Sequence, residues 1–214
     1  MKFLFNLSGA NTPLIKEFDI DSATAVYAGE VDGIKNNVVK KATECEKMLG
    51  VCAETHTGTH DELNERADGT KIRVIIAPDS VYSVKAPHYE AKSGTTTTLA
   101  VSSTGLSSGL TSGFAVLVSK AQNSTNTDIP GTKRRITGCA VSGSTATVTL
   151  ASGGAPVSGD VYMLMPDVGD MMDLTADATG VCFYNSASKL DLKCVCTDVS
   201  TGTIGVKFNT SIFA

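Results

Sequence analysis

In Ser144-Thr-Ala-Thr-Val-Thr-Leu150, residues Ala146, Val148 and Leu150 fall on one face of an extended chain and Thr145, Thr147 and Thr149 on the other. A half-buried β-strand requires that period of two. The pattern spreads outward. Over Lys189–Val199 it places Leu190, Leu192, Cys194 and Cys196 inward and Asp191, Lys193 and Val195 outward. Further strands are predicted at Gly113–Lys120, Arg134–Val141, Asp160–Met165, Gly180–Tyr184 and Thr203–Asn209, between Gly-rich turns at the spacing of sandwiches and barrels. Composition agrees, because the 124 residues after Glu90 contain 35 Ser or Thr, 14 Gly and no Glu. Ser and Thr bond their own backbone at the expense of helix, so this part reads as a β-sandwich. No repeat of fixed period is visible, which gives no support to a solenoid or propeller.

Residues 1–90 are built differently and hold every His, every Glu and only six Gly. The boundary is placed near residue 92, giving domains 1–91 and 92–214. The polar stretch Ala91-Lys-Ser-Gly-Thr-Thr-Thr-Thr98 reads there as a linker or as the entry to a first strand. Apolar runs of strand length recur at Thr24–Ala28, Asn37–Ala42, Lys47–Ala53, Lys71–Ala77 and Ser80–Lys85. Asp32-Gly33 and Asp68-Gly69 tolerate positive φ and are predicted to turn between antiparallel strands. A helix over Ile34–Gly50, with Val38, Val39, Ala42 and Cys45 as its stripe, competes, but Asn36-Asn37 and the β-branched pair Val38-Val39 weaken it. The reading is all-β: a small N-terminal β-barrel followed by a C-terminal β-sandwich.

The chain of 214 residues carries 18 Lys and Arg against 22 Asp and Glu, a net charge of −4, with 42% hydrophobic residues. That composition suits a globular protein and argues against a phosphate-backbone partner, whose affinity comes from clustered cations. No run approaches the roughly 18 apolar residues of a membrane-spanning helix. Phe3-Leu4-Phe5 is broken at Asn6, too short for the apolar region of a secretory signal, so the mature chain is expected to begin near Met1.

Several constellations bear on chemistry. Gly105-Leu-Ser-Ser-Gly109 matches the G-x-S-x-G nucleophile pattern, but His56, His60 and His88 all precede Ser107 and no helix pattern follows it, so no enzyme is expected. His56-Thr-Gly-Thr-His60 has the spacing of a metal-binding helix face, yet Gly58 and the threonines favour a solvated loop. The aspartates from Asp160 through Asp167, Asp170 and Asp173 to Asp177 offer oxygens to calcium without EF-hand spacing, and a polar loop is the simpler reading. Cys45, Cys52, Cys139, Cys182, Cys194 and Cys196 include no C-x-x-C and read as reduced, buried thiols, which fits synthesis in a reducing cytoplasm. Lys133-Arg134-Arg135 reads as a solvated or acid-pairing strand edge. No nucleotide-binding motif is present, and no cofactor is expected.

The order of pieces in the first part resembles the decoration, or cement, proteins of tailed-bacteriophage heads. Val26-Tyr-Ala-Gly29-Glu-Val31 resembles that family's opening segment and Val38-Val-Lys-Lys-Ala42 its next strand. Met48-Leu-Gly-Val-Cys-Ala53 resembles its L-G-V-A element. Gly69-Thr-Lys-Ile-Arg-Val74 and Ser80-Val-Tyr-Ser-Val84 resemble its closing pair. The resemblance covers Met1–Ala86. It implies a compact β-barrel, a homotrimer, the major capsid protein as partner, a place on the outer surface of the virion after synthesis in the host cytoplasm, and no enzymatic activity. Family members often stop after one such barrel, so the second part is a departure.

The lead segment Phe3, Leu4, Phe5 and Leu7 precedes the first barrel strand and is followed by Asn11-Thr-Pro13. It is read as a candidate capsid or partner contact that adds a strand to another sheet's edge, against the alternative of an ordinary edge strand of its own domain. The leading expectation is a capsid decoration protein. The alternative is a carbohydrate- or cell-surface-binding β module of a phage fibre or tail or of a bacterial surface protein, with glycan bound through residues 92–214. Its weak point is the 6% aromatic content and the absence of Trp, since sugar faces stack on aromatic rings.

Overall fold

A computed structural model of the chain describes residues 1–9, 12–21, 23–45, 48–57, 70–76, 79–174, 181–182 and 191–209. In chain order the strands are β1 (Lys2–Asn6), β2 (Ile15–Asp19), β3 (Val31–Lys35), β4 (Val38–Lys41), β5 (Met48–Cys52), β6 (Lys71–Ile75), β7 (Ser80–Lys85), β8 (His88–Glu90) and β9 (Ser93–Thr95). They continue with β10 (Thr98–Ser102), β11 (Phe114–Ser119), β12 (Lys133–Ser142), β13 (Thr145–Leu150), β14 (Val161–Met165), β15 (Met171–Leu174), β16 (Val181–Cys182), β17 (Asp191–Asp198) and β18 (Thr203–Phe208). One 3-10 turn, Ala42–Glu44, is the sole helical element among the described residues.

The strands form three antiparallel sheets, ordered β1-β7-β18-β17-β15-β16, β8-β14-β11-β12-β13-β10-β9 and β2-β6-β5-β3-β4. The all-β expectation holds, and no sheet closes into a barrel among the described residues. In the five-stranded sheet the edge strands meet only at an isolated parallel bridge, Ile20 with Val39. In the seven-stranded sheet the two edge strands are consecutive in the chain. Ala91 N–H bonds the Asp160 carbonyl and Lys92 N–H the Ala100 carbonyl, so one run of backbone touches both ends of the sheet. The compositional boundary near residue 92 falls in that run, and the six-stranded sheet joins strands from both sides of it through β7 and β18.

Alternation explains three cores. Leu99, Val101, Leu117, Val148 and Leu164 fill the seven-stranded sheet, while Val26, Val39, Leu49, Ile72 and Val74 fill the five-stranded one. The third core lies between sheets. Tyr82, Val84, Ile204 and Val206 meet Val31, Met48 and Val51 from the five-stranded sheet and Val116 and Met163 from the seven-stranded sheet. Each aliphatic side chain so buried contributes roughly 1.5–3 kcal/mol. The Tyr82 ring stacks on Phe208 at 5.0 Å and receives Phe3 edge-on at 6.5 Å. β5 lies so close to β6 that a Cβ at Gly50 would stand 2.1 Å from the Ile75 carbonyl oxygen.

Three local expectations are corrected and one competing reading is settled. Asp32-Gly33 lies inside β3, at a register shift against β5, and the tight turn is Asn36-Asn37, with φ of 54° and 65°. Asparagine tolerates that left-handed conformation, and two such residues match the twist of a hairpin. Thr24–Ala28 forms a single bridge, Val26 with His56, in place of a strand. The described residues of Ile34–Gly50 are the end of β3, the Asn36-Asn37 turn, β4, the 3-10 turn and the start of β5, as the Asn pair and the β-branched residues argued against a helix. In β17 the alternation breaks at a bulge between Cys194 and Cys196, so Cys194 is buried while Cys196 is half-buried. Asp68-Gly69 and Leu190 lie outside the described residues.

Candidate binding surface

The lead segment is not a free arm, because Lys2–Asn6 pairs antiparallel with β7 as the edge strand of the six-stranded sheet. Phe3 opposes Tyr82 and Phe5 opposes Val81, so Leu4 is the extra residue of a β-bulge. A bulge re-aims a side chain. Here Phe3 turns to the inter-sheet core while Leu4 is left 40% exposed. Phe5 is half-buried, and Leu7, just past the strand, is 51% exposed.

Asn6 clasps this edge to the rest. It is buried, accepts the Ser80 hydroxyl at 2.7 Å and donates its Nδ2 to the Thr12 carbonyl at 3.1 Å. Leu7 N–H bonds the Asp79 carbonyl, and Ile76 N–H bonds the Leu14 carbonyl. The passage from β6 to β7 therefore holds both ends of the loop that joins β1 to β2. Leu14 and Ile15, where the chain enters the β2 edge of the five-stranded sheet, are exposed as well. Sequence reasoning missed this pair because Asn11-Thr-Pro13 reads as the end of the apolar segment, and periodicity does not tell an exposed Leu from a buried one. Lys2, Lys16 and Glu17 flank the patch, the charges with which edge strands resist indiscriminate pairing.

Ser107 Oγ accepts the Gly109 N–H in a turn at 3.2 Å. His56 is a correction to the solvated-loop reading: it is 4% exposed, and its Nδ1 lies 2.7 Å from the Thr24 carbonyl. His60 lies outside the described residues. Glu54, also buried, takes the Arg73 N–H at 2.8 Å and its Nε at 2.6 Å.

The aspartates disperse, and no cluster of three metal-ligating side chains occurs among the described residues. Asp160 is fully buried and accepts the Ala121 and Val157 N–H groups and Asn126 Nδ2. Its burial pushes the carboxyl pKa up, but these hydrogen bonds, Asn126 first, hold it below the ordinary value. Asp167 grips both Arg135 Nη atoms, at 2.8 and 2.6 Å, and Asp170 accepts the Ser112 hydroxyl at 2.7 Å. Asp177 lies outside the described residues. The basic triplet divides in the same way: Arg135 pairs with Asp167 and lies over the Phe114 ring, Lys133 is exposed, and Arg134 is buried.

Cys45, Cys52, Cys139, Cys194 and Cys196 are free thiols. Burial is the main cause raising the Cys52 and Cys194 pKa, the latter to about 12. Since the thiolate is the nucleophile, neither should react with a disulfide reagent at pH 8 while the protein is folded. Mass spectrometry of protein labelled before and after unfolding checks this; modification of Cys52 or Cys194 in the folded protein at the rate of an exposed thiol contradicts it.

No protein-family model, no curated protein and no solved structure matches the chain.

Proposed function

We propose that this chain is a structural virion protein, a homotrimer that decorates a phage capsid by binding the lattice of its major capsid protein, with the second part of the chain facing outward. In this reading the five-stranded sheet, built from the first part of the chain, is the shell-facing unit and the seven-stranded sheet the outward one. The observation that carries it is the edge position of β1, where a bulge leaves Leu4 exposed and Leu7, just past the strand, is exposed as well. An edge strand with apolar side chains accepts an extended segment of a neighbour through main-chain hydrogen bonds and side-chain pockets. The function needs no catalytic group. Binding only the assembled shell stabilises that shell by mass action.

Light scattering and co-sedimentation with capsid shells test the proposal. The expected result is a trimer that pellets only with assembled shells and raises the temperature at which they rupture. Replacing Leu4 and Leu7 together by Glu should weaken pelleting at least about tenfold, roughly 1.4 kcal/mol, with the fold intact because both side chains are exposed. A monomer that ignores shells, or shells that rupture identically with and without the protein, overturns it. The second reading, a carbohydrate-binding β module, has one observation on its side, a groove beside β8.

A further inference from the structure

β9 pairs with β10 as far as Ser93 opposite Ala100, and the Lys92 N–H still reaches the Ala100 carbonyl. One step earlier in the chain the backbone turns away, and β8 pairs instead with β14. The two runs part and leave a groove of about 570 Å³, within the size range of small-ligand sites. Tyr89 and Ala91 point into the core, so by strand alternation His88, Glu90 and Lys92 share the outward face that lines the groove. Ser102, Thr104 and Ser158 supply hydroxyls to the lining, and Pro87 adds an apolar surface.

The walls are fixed by their own bonds. Tyr89 OH donates to the Thr104 carbonyl at 3.0 Å, and the Ser102 and Thr104 hydroxyls lie 3.1 Å apart. Two of the three Lys92 ammonium donors are taken by the Ser144 carbonyl at 2.9 Å and the Thr145 hydroxyl at 3.0 Å. Glu90 and His88, by contrast, have exposed side chains with no hydrogen bond or ion pair to the described residues. They stand two residues apart on one strand, about 7 Å.

We propose that this groove binds a neutral saccharide, with the Glu90 carboxylate accepting two ring hydroxyls, His88 a third, and Pro87 meeting the apolar C–H face. The chemistry favours a neutral polyol over an anion. A phosphate or an acidic sugar needs several uncommitted cationic donors, whereas the groove offers an uncommitted carboxylate and an ammonium already engaged. With no Trp platform, binding in the millimolar range is expected. The proposal rests on the carbohydrate reading, carried from residues 92–214 to a groove that residues 87–91 share with them, and is independent of shell binding at β1.

The test is a titration of the 15N-labelled full chain with maltose, lactose and N,N′-diacetylchitobiose, each to about 20 mM, followed by amide chemical shifts. Saturable shifts confined to residues 87–92, 102–105 and 158, weakened at least about tenfold in Glu90→Ala and reduced in His88→Ala, are the expected result. Both side chains are exposed, and the unchanged remainder of each spectrum verifies folding. Glu90→Ala should still pellet with shells, and Leu4→Glu with Leu7→Glu should still bind sugar. Sugar binding that survives Glu90→Ala keeps the carbohydrate reading but removes this site. No shift with any of the three, or tighter binding of 3′-sialyllactose or inorganic phosphate, overturns the proposal.

Discussion

Replacing Arg134 with Ala is expected to destabilise the protein by about 3–5 kcal/mol, the range for breaking a buried, hydrogen-bonded charge. The side chain is 3% exposed. Its Nε donates to the Ala151 carbonyl at 2.9 Å, Nη1 to Gly154 at 2.7 Å, and Nη2 to Ala151 at 2.7 Å and to the Thr96 carbonyl. Asp128, 3.8 Å from Nη1, balances the charge and also accepts the Gly154 N–H at 2.9 Å. One guanidinium therefore ties β12 to the loop after β13 and to the turn between β9 and β10. Truncation leaves three carbonyls without that donor, a void and an unbalanced carboxylate. Arg134→Lys should recover little, because a single ammonium does not span carbonyls arranged around a planar fork. Urea unfolding measures the effect; a loss below about 1 kcal/mol for Arg134→Ala would show that water replaces the network without cost.

Asp32→Val is expected to act in the opposite direction, stabilising the protein by about 1–3 kcal/mol near pH 4, where the carboxyl is largely protonated in both states, and by more at pH 7. Asp32 is fully buried in β3, and neither carboxyl oxygen has a hydrogen-bond partner. Three titratable groups face it. The Cys52 thiol is turned to the Glu54 carbonyl at 2.8 Å, and Lys41 is held by Glu30 at 3.2 Å. Burial is the largest cause raising the Asp32 pKa well above its ordinary 3.8, with the nearby Cys52 thiol opposing it, Glu30 adding to it and Lys41 opposing it.

A carboxyl whose folded pKa is raised keeps its proton in the folded chain while the unfolded chain releases it. Its contribution to stability is therefore complete below the unfolded pKa and is lost as pH rises from there toward the folded value. The advantage of Asp32→Val over wild type should accordingly widen above about pH 4, by roughly 1.4 kcal/mol per pH unit until the folded pKa is reached. Measuring both proteins from pH 4 to pH 8 isolates this residue from the other titrating groups. A difference that does not change with pH, or a wild type more stable than the variant at pH 7, contradicts the assignment.

The fold class was legible because β-structure writes itself locally. Thr145–Leu150 alternates in the sequence and in the structure alike, with Ala146, Val148 and Leu150 buried. Lys71–Ile75, Ser80–Lys85 and Phe114–Ser119 likewise fall where short apolar runs lie between turn residues. Legibility failed where one extra residue entered. The bulges at Leu4 and at Val195 shift the face of everything beyond them, and no periodicity announces a bulge. In the lead segment the sequence did not separate the faces: Leu4 and Leu7 are exposed while Phe3 packs against the core, because the bulge sets which side chain turns outward. His88 and Glu90 carried no signal at all, because what sets them apart is the engagement of Lys92 beside them.

What the amino-acid order determined by itself is the all-β class, most strand positions and the change of material near residue 92. These follow from alternation, turn chemistry and composition, which act within a few residues. Tertiary structure alone decided which strands share a sheet. β1 and β7 join β18 and β17 across more than a hundred residues of chain, because the faces carrying Tyr82, Ile204 and Val206 lose their water only against one another. It also decided the fate of three adjacent cations. Lys133 meets solvent, Arg135 takes Asp167, and Arg134 is buried, since a charge pairs with the carboxylates and carbonyls that folding brings to it.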